Sequence, residues 1–305
     1  DIKARPSYPL MRESRLAITT TDAVNLSARE EVFMGNFVEK IPLFGRLSRG
    51  SNRAYTGFLN KLRADVFDDL LKKASDAGVP QTTAMVDDLA KFINSATGRG
   101  TLPKFVEKAA PLLNGVFFSP RLIASRLNLL NPVYYARLDP FVRKEALKSL
   151  LAFTAISGTA LTLAKLGGAE VETDPRSADF AKIKVGNTRY DILGGFQQYI
   201  RIVSQLVTGK VISSTTGREI TLGEGYKPLT RPAILARFFN SKMSPIFSFA
   251  LDLGRGQNAM GAPVNVPDEV ISRFIPLVAQ DMYDLYQENG LYGLVEGLPA
   301  PFGVG

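Results

Sequence analysis

Apolar residues recur at helical spacing through most of the first half of the chain. Phe58, Leu62, Val66 and Leu70 stand four apart, with Leu59, Phe67 and Leu71 beside them. Lys61, Arg63, Asp65, Lys72 and Lys73 fall opposite, which predicts an amphipathic helix over residues 51–77, stopped at Gly78. Met85, Val86, Leu89, Phe92 and Ile93 make a second helix over residues 81–96, and a shorter one is expected over 103–113. Ser119-Pro120 and Asp139-Pro140 pair a capping side chain with a proline that fits the first helical turn. The first opens a helix broken at Asn131-Pro132, and the second opens a long helix over 139–164. The early turns of that long helix are amphipathic, while residues 149–164 (SLLAFTAISGTALTLA) carry no charge.

The period then changes. Lys182 to Val185 and Arg189 to Leu193 alternate around Gly186-Asn187, and a second hairpin is expected at 210–214 and 219–222 around Thr216-Gly217. Helical spacing returns over 196–208, at Arg231-Pro232, and over 268–289, where Pro276 should kink or split the helix. Residues 252–267 read as a loop. Residues 1–35, with Pro6, Pro9 and a TTTD run, read as an extended partner-binding arm, and GRLSRG at 45–50 as a turn-rich basic patch. The expected fold is therefore mainly α: a multi-helix domain around a long apolar central helix, with two small inserted β-hairpins. The helical domain is placed at 36–170. A hairpin-plus-helix region at 171–305 is expected to pack on it, and the two together can be one domain.

Residues 149–164 raise a membrane question. A bilayer core needs roughly 20 apolar residues, and this run is shorter and diluted by three Thr, two Ser and a Gly. The expectation is a buried central helix, with a membrane span through Leu150, Leu151, Phe153, Ile156, Leu161 and Leu163 as the alternative. Small residues suit close helix–helix contact in either setting.

The densest polar constellation is Asp174-Pro175-Arg176-Ser177 with Asp179, Arg189 and Asp191. Arg–carboxylate pairs and turn caps are its expected use. The sharper alternative is a magnesium or acid–base site built from Asp174, Asp179 and Asp191. Arg46, Arg49, Arg53, Lys61 and Arg63 interleave with Phe44, Tyr55 and Phe58. They read as a solvated helix face, or else as a partner- or DNA-facing patch. Gly98-Arg99-Gly100 and Gly254-Arg255-Gly256 lack the spacing and GK[ST] ending of a phosphate loop, and Gly194-Gly195 suits a strand-to-helix turn.

Composition narrows the chemistry. The chain has no Cys, no His and no Trp, which removes disulfides, thiolate nucleophiles, Cys- or His-held zinc and the His-based triads. Carboxylate, Lys, Tyr or magnesium chemistry survives. A net charge of +8 favours anionic partners. The start at Asp1 and the end at Gly305 lead us to expect part of a longer polypeptide.

DPRSADFAKIKVGNTRYDILGGFQQYIR, followed by QLVTGK, ISSTTGREITLGEGY and RFFNSKMSP, resembles the large polyvalent protein-associated domains of tailed bacteriophages. SNRAYTGFLNKLRADVFDDLL, SPRLIASRLNLLNPVYYARLDPFVRKEALKSLLAF, LAKLGGAEVETDPRS and the ending LPAPFGVG resemble the same family, so the likeness spans residues 36–305. It implies an internal, or ejection, virion protein of a short-tailed phage. Such a protein is packaged with the DNA, docks on portal or tail proteins and on sister copies around the tail axis, and passes into the host envelope when the genome is delivered. It implies no catalytic residues and no cofactor. A basic chain suits packaged DNA, and a short, dilute apolar helix suits a segment held in the virion that later meets the host membrane.

Overall fold

The structure, a computed structural model, describes residues 2–19, 44–102, 104–107, 119–186, 188–213, 216–225, 228–257 and 263–266, with single positions between 109 and 117 and between 283 and 292. It divides into two compact units, Asp1–Leu151 and Ala152–Gly305.

In the first unit the longer helices are α1 (Tyr8–Glu13), α2 (Phe44–Asp76), α3 (Thr83–Ala96), α4 (Pro120–Leu130), α5 (Pro132–Ala136) and the start of α6 (Pro140–Leu166), and a single turn at Lys104–Glu107 stands within the helix expected over 103–113. Their beginnings follow the capping chemistry. Thr82 accepts from the Met85 amide at 3.2 Å, Ser119 from Leu122 at 3.3 Å, Asn131 from Val133 at 3.0 Å and Asp139 from Phe141 at 2.9 Å. Each satisfies an amide that the first helical turn leaves open. The core gathers Phe67, Leu70 and Leu71 of α2, Met85, Leu89 and Ile93 of α3, and Val142 and Ala146 of α6. Tyr134 and Tyr135 join it edge to face, with ring centroids 5.5 Å apart. Burying each large side chain contributes about 1.5–3 kcal/mol.

Three expectations change here. Residues 2–19 are not extended: a 3₁₀ turn at Ile2–Ala4 and α1 lie along α2, with Met11 and Leu16 in the core. Arg5 forks onto Asp65 at 2.7 Å and Asp68 at 2.8 Å, which fixes this segment against α2. The rest of the expected arm, 20–35, lies outside the described residues. Second, α2 begins at Phe44, so the backbone of GRLSRG is helical and not a turn; helix propagation from the long amphipathic run outweighs the modest cost of Gly45 and Gly50.

Third, the buried face of α2 is rotated from the expected stripe. Thr56, Leu59, Asn60, Arg63, Phe67, Leu70 and Ala74 are buried, whereas Phe58 is 64% exposed and Leu62 is also exposed. Polar side chains occupy interior places because the N-terminal segment brings acceptors to them.

The second unit starts within α6, earlier than the expected boundary at 170. Val142 and Ala146 belong to the first core, while Phe153 packs on Phe196 with centroids 5.6 Å apart. Strands β1 (Glu170–Val171), β2 (Lys182–Val185) and β3 (Thr188–Asp191) form an antiparallel sheet in the order β1-β2-β3, with Lys182 opposite Asp191. The first hairpin is thus three-stranded; β1 has only two residues, too short for alternation to reveal. Helix α7 (Gln197–Thr208) follows and ends at Gly209 in the left-handed conformation, φ 68°. β4 (Lys210–Ile212) and β5 (Glu219–Thr221) make the second hairpin, and α8 (Arg231–Asn240) and α9 (Pro245–Arg255) come after it.

Helix α9 replaces the first part of the expected 252–267 loop. Its signal was Ser244-Pro245, the same cap-plus-proline pair that marks α4, and Ser244 accepts from the Phe247 amide at 3.2 Å. The helix expected over 268–289, with its kink at Pro276, falls almost wholly outside the described residues.

Candidate functional site

The later turns of α6 stand out among the described elements. α6 has 27 residues, and its most apolar 18-residue window has a mean hydropathy of 1.4 with only 11% of that window buried. Leu151 is 70% exposed, Ile156 71%, Leu163 62% and Leu166 79%. Leu147, Leu150 and Phe153 are exposed as well, and Leu161 is half-buried. The expected burial of this helix is therefore overturned. Ser157 is buried and Ala160, Leu161 and Ala164 are half-buried on the side where Phe153 meets Phe196, while the exposed positions take up the rest of the circumference, which carries no charge to offer water. Its polar side chains turn back on their own backbone: Ser149 donates to Glu145 O at 3.0 Å and Thr162 to Gly158 O at 2.8 Å. Both hydroxyls are thereby satisfied within the helix.

Where α6 leaves the first core, an apolar groove of about 450 Å³ opens between Leu129, Leu130, Pro132, Tyr135, Leu147 and Leu150, with Arg143 at its rim. The apolar surface thus runs from this groove into the exposed turns. On α2, Tyr55, Phe58 and Leu62 make a smaller exposed patch.

The central polar stretch forms two ion-pair groups. Arg176 holds Asp174 at 2.7 Å and Glu219 at 2.6 Å, and Lys210 also meets Glu219 at 2.5 Å, tying the 174–177 turn to the β4–β5 hairpin. Asp179 accepts from Arg189 at 2.9 Å and from Lys182 at 3.3 Å. Asp191 departs from the expected pairing: its carboxylate accepts from the Leu193 amide at 2.8 Å, because the turn leaving β3 needs a cap. Buried Gln197 and Gln205 donate to Ala178 O and Arg176 O, both at 2.8 Å, and latch this loop onto α7.

These contacts set the charge states. Hydrogen bonding to Arg176 holds the Asp174 carboxyl below the usual carboxylate range. Lys210, then Arg176, does the same for Glu219. Burial pushes the Asp179 carboxyl up, but Arg189 and Lys182 outweigh it and the net direction is down. A carboxyl depressed in the folded state contributes stability above its unfolded pKa, and that stability is lost as pH falls through the folded value. The junction should therefore loosen below about pH 4 and not between pH 5 and 7. Amide exchange across β4 and β5 at pH 3 and pH 6 checks this. The acid-induced loss of protection should be large in the native chain and largely absent in Arg176→Gln, which lacks that protection at both pH values.

The magnesium alternative finds no geometry. Among the described residues no three acidic side chains stand together to hold a metal ion, and Asp174, Asp179 and Asp191 each serve a separate local contact. The expected DNA-facing patch loses Arg63 to the interior. Arg53 is exposed, Lys61 is exposed and pairs with Asp65, and the side chains of Arg46 and Arg49 lie outside the described residues. Arg63 is 0% exposed. It donates to Thr97 Oγ1 at 2.8 Å, Ala17 O at 2.8 Å and Thr97 O at 3.2 Å, so it is an interior strut and not a surface contact.

The glycine pairs resolve into packing and turns. Gly254 and Arg255 lie in α9, which Gly256 caps at φ 67°. Gly100 lies against the backbone of Ser125 in α4, and Gly194 and Gly195 make the left-handed turn that leads to α7.

Searches against protein-family models, curated proteins and solved structures return no match to this chain.

Proposed function

We propose that this chain is a structural domain of a bacteriophage virion: an internal, or ejection, protein that docks at the portal or tail and helps deliver DNA across the host envelope. The observation that carries the reading is the second half of α6, uncharged from 149 to 164 and exposed over most of its circumference. A helix apolar all round needs cover from protein or lipid. Portal or tail subunits and sister copies around the tail axis supply it in the virion, and the host membrane supplies it after release. Residues 147–166 span about 30 Å as a helix, the thickness of a bilayer core, and Lys148 and Lys165 stand near the two ends, where their stems can reach outward. The sequence likeness to the phage domains includes the first half of this helix and continues through the ion-paired stretch after it.

The double variant Leu151→Glu with Ile156→Glu tests the role of the helix. Both side chains are exposed, so each change should alter folding stability by no more than about 0.5 kcal/mol, checked by thermal denaturation. Incorporation into phage particles should fall at least tenfold. Particles that carry the double variant at the native level would sink the proposal.

A further inference from the structure

Two cations beside the start of α7, one on the helix and one on the loop after α8, are left over by the ion-pair groups. Lys242, between α8 and α9, bonds Gln198 Oε1 with its ammonium, which lies 5.4 Å from the Phe238 ring centroid and 5.8 Å from that of Tyr199. Those two rings meet edge to face at 5.3 Å and form a partly buried floor. Arg201 follows Gln198 by three residues on α7, so the two side chains are neighbours on one helix face. Arg201 is half-buried, and among the described residues it makes no hydrogen bond or ion pair.

Among the described residues the carboxylate whose charge acts on Arg201 is that of Asp179, already held by Arg189 and Lys182. Burial lowers the pKa of Arg201, and burial followed by the charge of Arg201 lowers that of Lys242. Two neighbouring cations partly withdrawn from water, with no carboxylate near them but one already shared by two other cations, raise the energy of the site, and an anion seated between them offsets that cost. Phe196 at the N-cap lends no side chain to the first-turn amides of α7, which adds positive field at the same end of the helix.

We propose that Arg201, Lys242 and Gln198 form a binding site for a phosphate group. The guanidinium offers a planar fork and the ammonium a point charge beside it. Together they match an anion with three or more oxygens better than the two oxygens of a carboxylate. The aromatic floor under Lys242 holds the ammonium in place before the ligand arrives. The inference does not rest on the reading of α6.

The test uses the full chain, titrated with inorganic phosphate at constant ionic strength and followed by thermal denaturation and by isothermal calorimetry. Native protein should show a saturable rise in melting temperature, since a ligand that binds only the folded state stabilises it by mass action. Arg201→Gln and Lys242→Gln should each bind phosphate about tenfold more weakly, as one charge-assisted contact is lost. Competition by a short single-stranded oligonucleotide, by anionic phospholipid vesicles, or by neither assigns the phosphate to nucleic acid, to lipid headgroups or to the free ion, and each result upholds the site. No saturable effect in the native protein overturns the proposal. So does unchanged affinity in Lys242→Gln, a substitution at a half-exposed loop position that leaves the helices intact.

Discussion

Arg63→Met should destabilise the first unit by about 3 kcal/mol, because buried acceptors left without a donor cost about 1–3 kcal/mol each. Methionine keeps much of the aliphatic stem, so little of the loss comes from an empty cavity. The acceptors are Ala17 O, Thr97 O and Thr97 Oγ1, and they belong to two different segments that Arg63 joins. Thr97 caps the end of α3 and donates in turn to Ile93 O at 2.7 Å. Asn60 accepts from the Thr19 amide at 2.9 Å, and Asn94 from the Ala17 amide at 2.8 Å. Loss of Arg63 should therefore open 15–19 first, seen as early amide exchange at Ala17 and Thr19 before the rest of the unit unfolds. Arg63→Lys should fall between the two, since one ammonium cannot reproduce the fork. Arg53→Met, at an exposed position of the same helix, should change stability by less than about 0.5 kcal/mol.

Gly100→Ala should be at least as damaging. A Cβ at Gly100 would stand 2.2 Å from Ser125 N, 2.6 Å from Ser125 Cα and 2.7 Å from Ala124 C. All three are backbone atoms of α4, which cannot rotate aside as a side chain can. The Gly100 amide donates to Arg121 O at 3.1 Å, and Ser125 donates to Ser95 O at 2.6 Å in the buried contact between α3 and α4. A methyl group would force these helices apart and break both bonds. Overpacking of this kind costs about 1–3 kcal/mol, and more where backbone must move; we expect about 3 kcal/mol, measured by urea denaturation. Gly57→Ala is the control. A Cβ there meets nothing within 4 Å, and alanine is the better helix former, so stability should rise slightly.

Where local chemistry decides the structure, the sequence was readable. Ser119 and Asp139, each followed by proline, cap helix starts as read, a helix begins at Arg231-Pro232, and both hairpins sit at glycine-containing turns, whereas Asn131-Pro132, read as a break, also caps a new helix. The larger failures on α2 occurred where a distant segment supplies the partner. Arg63 looked like surface charge because its acceptors lie 46 and 34 residues away. Its burial also turned α2 so that Phe58 faces out. Asp191 was expected to pair with an arginine, but the nearby Leu193 amide claims it. The exposure of α6 was not legible for a different reason. An apolar run looks the same whether it is destined for a core, a subunit interface or lipid, and only the rest of the chain shows whether cover is at hand.

The proposed function rests on α6 as the docking element of a virion protein. On that proposal the most direct measurement is cryo-electron microscopy of phage particles assembled with this chain, imaged full and after DNA release. The account predicts density for the chain at the portal or tail lumen of full particles, with the second half of α6 covered by neighbouring subunits, and loss of that density from emptied ones. Density that stays unchanged after release would contradict delivery with the genome, and its absence from both states would contradict the virion assignment itself.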